Sequence, residues 1–310
     1  MRWNVRIVGV AWGLSANPCA ARAIRRAWER LSVCELGTTP TLEPVPDKSR
    51  PEPASPVVDM RDPEFVAPSS DTSGPVDHPA VAALADRLAP QPWVTGLYVA
   101  GSLATGDHVP GVSDLDLVAL TDGPPDTDLI SSVHSELDVG VAAGADLGCA
   151  YVAADRRDDH AAPHPTWTHG RLVHRPLTTI PRVELAVHGL TVFGEDVRTP
   201  FPPVTEDDVR EASRDEVCGY WADAVRHPGW WILEPEIAEL SLTAMARGRH
   251  AAEHGRLLTK SAAIEEADAP AWLRDRLRAR RRGDPAPLPR LRTAWIAWTD
   301  ARRTVAGLRR

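Results

Sequence analysis

The stretch Leu97–Leu120, reading LYVAGSLATGDHVPGVSDLDLVAL, restricts what this chain can become more than any other. Leu97 to Ala100 form an apolar run that stops at Gly101-Ser102, the pattern of a buried strand entering a tight turn. Gly101 and Gly106 carry no Cβ, so the backbone there can bend sharply and lie against a ligand. Ser102 and Thr105 add hydroxyls beside backbone N–H groups, the makings of a phosphate cradle. Farther on comes Ser113-Asp114-Leu115-Asp116-Leu117, which as a strand of period two sets both aspartates on one face and both leucines on the other. Side-by-side carboxylates repel unless a cation lies between them. Mg²⁺, which takes hard oxygen ligands and leaves positions for substrate phosphates, is the usual reason to build such a pair. The stretch therefore offers Gly101 and Ser102 to phosphates, and Asp114 and Asp116 as the catalytic metal clamp.

The order G-S-x-x-x-G-D followed by S-D-x-D-L resembles the signature of the nucleotidyltransferase superfamily, which includes DNA polymerase beta and the antibiotic nucleotidyltransferases. The spacing around it fits. Val81, Leu84, Ala85 and Leu88 mark one apolar helix face ahead of the strand, and Asp128 to Val141 can form a helix before a second buried strand at Leu147 to Ala153. Residues 163–175 read as loop and then strand, and from about 181 the pattern turns helical. Pro181 to Val192 is one candidate helix, and Thr205 with Asp208 forms a capping box for another that runs to about Val225. Further helices are expected at about 233–254, 261–267, 270–282 and 288–308, the last with Leu291, Trp295, Trp298 and Arg302 at helical spacing. The fold class is α+β: a mixed-sheet nucleotidyltransferase domain over 76–190, then a helical bundle over 191–310. Residues 1–75, with a Pro-, Ser- and Asp-crowded stretch from Gly37 to Pro75, are expected to be a flexible extension.

With the second half included, residues 78–309 resemble the aminoglycoside adenylyltransferases that modify streptomycin and spectinomycin. Besides the glycine turn and paired acids, the likeness is carried by HGLTVFG at 188–194, LSLTAMAR at 240–247 and GRLLTKS at 255–261. The resemblance implies that Arg247 and Lys260, thirteen residues apart, contact the phosphates of ATP. Fixed cations from a second domain would neutralise a polyphosphate that two acids alone leave in excess negative charge. It also implies a drug subsite of acids and a tryptophan near Trp230, Glu234 and Glu239, where carboxylates pair with ammonium groups and an indole packs on a sugar ring. One departure stands out. The family's general base is a glutamate on the strand after the metal pair, and Gly148 occupies that place here, leaving Asp146, Asp155 or a residue of the helical part as substitute.

A net charge of −8 disfavours a nucleic-acid partner and suits a small cationic acceptor. No apolar run is long enough for a bilayer, so no membrane partner is expected. The four cysteines lack paired spacing, and the histidines of 160–174 lack compact metal-ligand spacing. The arginines at 278 and 280–282 read as a solvated helix end. The expected activity is Mg²⁺-dependent transfer of AMP from ATP to a hydroxyl of an aminoglycoside-like acceptor, by a cytoplasmic monomer or weak oligomer. The alternatives are a superfamily enzyme of toxin–antitoxin type that modifies a protein or nucleotide, and a non-catalytic ATP sensor.

Overall fold

The structure, a computed structural model of the chain, describes residues 78–309. The expectations for 1–75, and an Asp77 helix cap, fall outside the described residues. Helix α1 (Pro79–Leu88) starts on Pro79 and is capped by the ring of His78, which accepts from the Ala80 N–H at 3.3 Å. Its Ala80, Val81, Leu84 and Leu88 are fully buried, a 3.6-residue stripe.

Strand β1 (Val94–Ala100) then runs into a single helical turn, α2 (Gly101–Ala104), and returns as β2 (Leu115–Thr121) antiparallel to it. Helix α3 (Thr127–Val139) crosses over to β3 (Leu147–Ala153), which is parallel to β2, as a crossover of this kind requires. The expected loop-then-strand at 163–175 is a hairpin of β4 (Pro163–Thr168) and β5 (Arg171–Pro176). Its turn residues His169 and Gly170 both have positive φ.

Helix α4 (Thr179–His188) ends earlier than its apolar pattern suggests, and Leu190–Phe193 form strand β6 on the free edge of β1. The run Leu-Thr-Val-Phe has strand-forming side chains and finds open backbone there. The sheet, ordered β5-β4-β3-β2-β1-β6, thus extends past residue 190.

The two faces of the sheet differ. Leu115, Leu117 and Ala119 share a core with α1 and α3 residues on one side. On the other, Val118, Leu120 and Ala150 meet Leu185 of α4 with Leu177 and Phe201. Helix α4 is also held from its outer side, where Val183 packs with Val209, Ala212 and Ala251 of the helical part.

That part opens with α5 (Glu206–Glu216), begun by a reciprocal Thr205–Asp208 capping box as expected. It runs through a π-helical turn (Val217–Trp221) into α6 (Ala222–Ala224), followed by α7 (Pro228–Leu233) and the long α8 (Pro235–His254). Helices α9 (Lys260–Glu265), α10 (Ala271–Arg281) and α11 (Arg290–Leu308) complete it. Trp231, Leu242, Met245, Leu273 and Ala297 lie in its core. The buried stripe of α11 is Ala294, Ala297 and Ala301, while Leu291 is 44% exposed; small residues let α11 close on α8. Among the described residues no helix is long and apolar enough to cross a membrane.

Candidate active site

Strand β1 delivers the chain into Gly101 at φ +61°, and a Cβ there would stand 2.3 Å from Oδ2 of Asp116. Only glycine permits this approach, which puts the bend and the acid side by side. Ser102, the next residue, is 7% exposed, and its Oγ is buried with no hydrogen-bond partner among the described residues. The turn is closed beneath it: the Asp107 N–H donates to the Ser102 carbonyl at 2.9 Å, and the Thr105 hydroxyl donates to the same oxygen at 3.2 Å.

Leu115 and Leu117 point into the core under α1 and α3, so Asp116 faces the side covered by α4. Burial pushes the Asp116 carboxyl up to about 7, the like charge of Asp114 adds to the rise, and Lys260 opposes it. Asp114, just ahead of β2, has Oδ1 at 3.2 Å from the Lys260 ammonium of α9. The two mutually repelling carboxylates are hard-oxygen donors of the kind Mg²⁺ takes, and Lys260 is the cation that stands against them here. The structure thus brings together Gly101, Ser102, Asp114, Asp116 and Lys260.

Arg247 lies on α8 with its Nε donating to the Leu258 carbonyl at 2.9 Å and its Nη2 bonded to Glu184 of α4. Glu184 was not legible as a site residue. Its charge nonetheless reaches Asp116 and Glu216; burial raises the Glu216 carboxyl, Arg247 opposes the rise and Glu184 adds to it. Burial holds His188, one turn along α4, below the usual histidine range. Arg175 of β5 shares that face of the sheet; burial lowers it and the charge of Asp116 opposes the drop.

A different arginine corrects the expectation of a solvated run. Arg281 is 11% exposed and bridges the halves: its guanidinium donates to Ser113 Oγ at 2.8 Å and to Asp107 Oδ2 at 3.1 Å. The Ser261 N–H reaches the same carboxylate at 3.1 Å. Burial alone would raise Asp107, but these hydrogen bonds and the guanidinium charge bring it below the ordinary carboxylate range. Arg280 does point outward, where it pairs with Glu239 at 2.7 Å.

That pairing bears on the expected drug subsite. Glu239 is engaged by Arg280, Trp230 stacks on His227 at 4.6 Å, and Glu234 is exposed at the start of α8. At 1.5 Å per residue, Glu234 lies about 20 Å along the helix from Arg247. None of these contacts runs to Asp114 or Asp116. Nearer to Arg247 are Glu216 and the π-helical turn, with Tyr220 47% exposed and open space at Gly219.

Gly148 pairs directly with Asp116 across β2 and β3, so a side chain there would stand beside the metal clamp. The two proposed substitutes are elsewhere. Asp146 is turned out at φ +44° and bonded to His169 at 2.7 Å, and Asp155 lies past the far end of β3, about 20 Å along the strand.

Comparison with known proteins agrees with this architecture. The family model of the nucleotidyltransferase domain matches residues 83–164, the span from α1 to β4 that holds both acids. Among solved structures, the fold is similar to that of the spectinomycin adenyltransferase AAD(9) from Enterococcus faecialis, solved with ATP and spectinomycin. The two share 14% identity with a TM-score of 0.53, over 74% of this chain and 96% of that one. No curated protein matches the sequence.

Proposed function

We propose that this nucleotidyltransferase-domain protein transfers AMP from ATP to a hydroxyl of a small cationic acceptor of the aminoglycoside kind, an activity that would inactivate such antibiotics. The observation that carries the reading is the contact of Asp116 with the Gly101 bend, with Asp114 and Lys260 closing the other side. Chain topology and the likeness in fold to a structure holding ATP and spectinomycin support it.

In this reading Asp114 and Asp116 hold Mg²⁺, which when bound supplies charge neutralisation and polarises the phosphoryl group. The backbone at Gly101 and the Ser102 hydroxyl, which lacks a partner among the described residues, bind the terminal phosphates. Lys260 and Arg247 are each held by a carboxylate, and exchange that partner for phosphate oxygens when nucleotide arrives. Glu216, which feels the charge of Arg247, and the half-exposed Tyr220 would meet the acceptor.

The test is pyrophosphate release with Mg²⁺ and each nucleoside triphosphate across spectinomycin, streptomycin and other aminoglycosides. Release with ATP and one of these acceptors is expected. Labelled AMP found on a protein and on none of the small acceptors would select a protein-modifying enzyme instead. ATP binding without release under any condition leaves a sensor.

A further inference from the structure

Attack by a neutral hydroxyl on phosphorus needs somewhere for its proton to go, and the strand position that faces Asp116 has no side chain to take it. Asp146 and Asp155 are committed or remote. Asp114 is paired with Lys260, while helix α4, which lies against both the Gly101 turn and β1, carries a further carboxylate, Glu184.

Glu184 arrives from a different element, and the packing of α4 fixes where it emerges. On α4, Val183 packs outward against α5 and α8, and Leu185 packs inward on the sheet. Successive helical residues are 100° apart, so Glu184 emerges in the seam between those two cores. It is 15% exposed and lies against Arg247, the cation placed above at the phosphates.

We propose that Glu184 is the general base of the transfer, doing from helix α4 what a strand carboxylate at Gly148 would do. The inference rests on the transfer reading given above. The acceptor hydroxyl gives its proton to the Glu184 carboxylate as its oxygen bonds to the α-phosphorus. The bond from that phosphorus to the bridging oxygen breaks, and pyrophosphate leaves with the electron pair. Before nucleotide binds, Arg247 occupies the carboxylate; when ATP takes the guanidinium, the base is released. Proton acceptance is thereby tied to a filled nucleotide site.

The arrangement predicts opposite changes in two measurements. Glu184→Gln removes the charge that competes with ATP for Arg247, so calorimetry should show Mg-ATP bound about threefold or more tighter, while turnover falls about 100-fold or more. Adding Gly148→Glu to that variant should restore turnover at least about tenfold. The site has room, since a Cβ at Gly148 stands 3.4 Å from the Leu115 carbonyl oxygen and 3.7 Å from that of Trp167. Undiminished turnover in Glu184→Gln, beside an active wild type, overturns the assignment alone. Loss of ATP binding in the same variant makes Glu184 a structural anchor for Arg247 and overturns it too. If the wild type binds ATP but releases no pyrophosphate with any acceptor, the transfer reading fails and this inference with it.

Discussion

Among the described residues, two carboxylates between the glycine turn and β2 pair with cations of the helical part, and the two links are built differently. Arg281–Asp107 is a brace: both side chains are almost out of solvent, at 11% and 13% exposure, and Ser113 and Ser261 complete the network. Lys260–Asp114 is a single contact with both side chains about 40% exposed. The brace satisfies nearly every polar atom it buries, so removing one partner leaves a charge stranded. The other link is wet and single-stranded, worth little to stability and easily exchanged. Under the proposed function, the contrast separates what fixes the halves from what would exchange for ligand.

Mutation can break that distinction, beginning with the largest effect. Asp114→Asn should cut adenylyl transfer by about 1000-fold while thermal unfolding changes by less than about 0.5 kcal/mol. If stability fell with activity, Asp114 would belong to the brace. Arg281→Met should do the reverse, costing about 3 kcal/mol in denaturant unfolding because Asp107 loses its cation in a mostly dry setting. A shift in midpoint under about 0.5 kcal/mol would mean that the two links are equivalent. Lys260→Met should weaken ATP binding about tenfold by calorimetry and leave unfolding within about 1 kcal/mol of wild type. Ser102→Ala sharpens the picture with the smallest change, a loss of about fivefold in ATP affinity with unchanged or slightly higher stability, since its hydroxyl has no partner among the described residues.

The parts of this molecule that are local in sequence were legible. The β1–turn–β2 unit, the α1 stripe and the Thr205 capping box each follow from a few neighbouring residues, and the structure places them there. Arg247 and Lys260 came from resemblance, and both sit against acids in the seam. What escaped depends on distant packing. Arg281 reads like Arg280 and Arg282 until α10 docks on the loop around Asp107, 174 residues away. Glu184 looks like any polar residue of an amphipathic helix, and only the covering of α4 on both sides shows where it points. Strand β6 was hidden because four residues, Leu-Thr-Val-Phe, are too few to show a period, and the open edge of β1 decided its form. The stripe on α11 was drawn through its largest residues when its alanines carry the contact.

Helix α4 has apolar anchors on opposite sides, Leu185 in the sheet and Val183 among the helices. A strand residue takes its aim from a hydrogen-bond ladder, whereas a residue on this helix takes it from the fit of two separate hydrocarbon contacts. Thinning either anchor, though neither touches nucleotide, would let the helix roll by a few degrees and spoil alignment at the reacting atoms well before affinity suffered. The accuracy of the chemistry is therefore stored in greasy side chains that a search for polar residues would pass over.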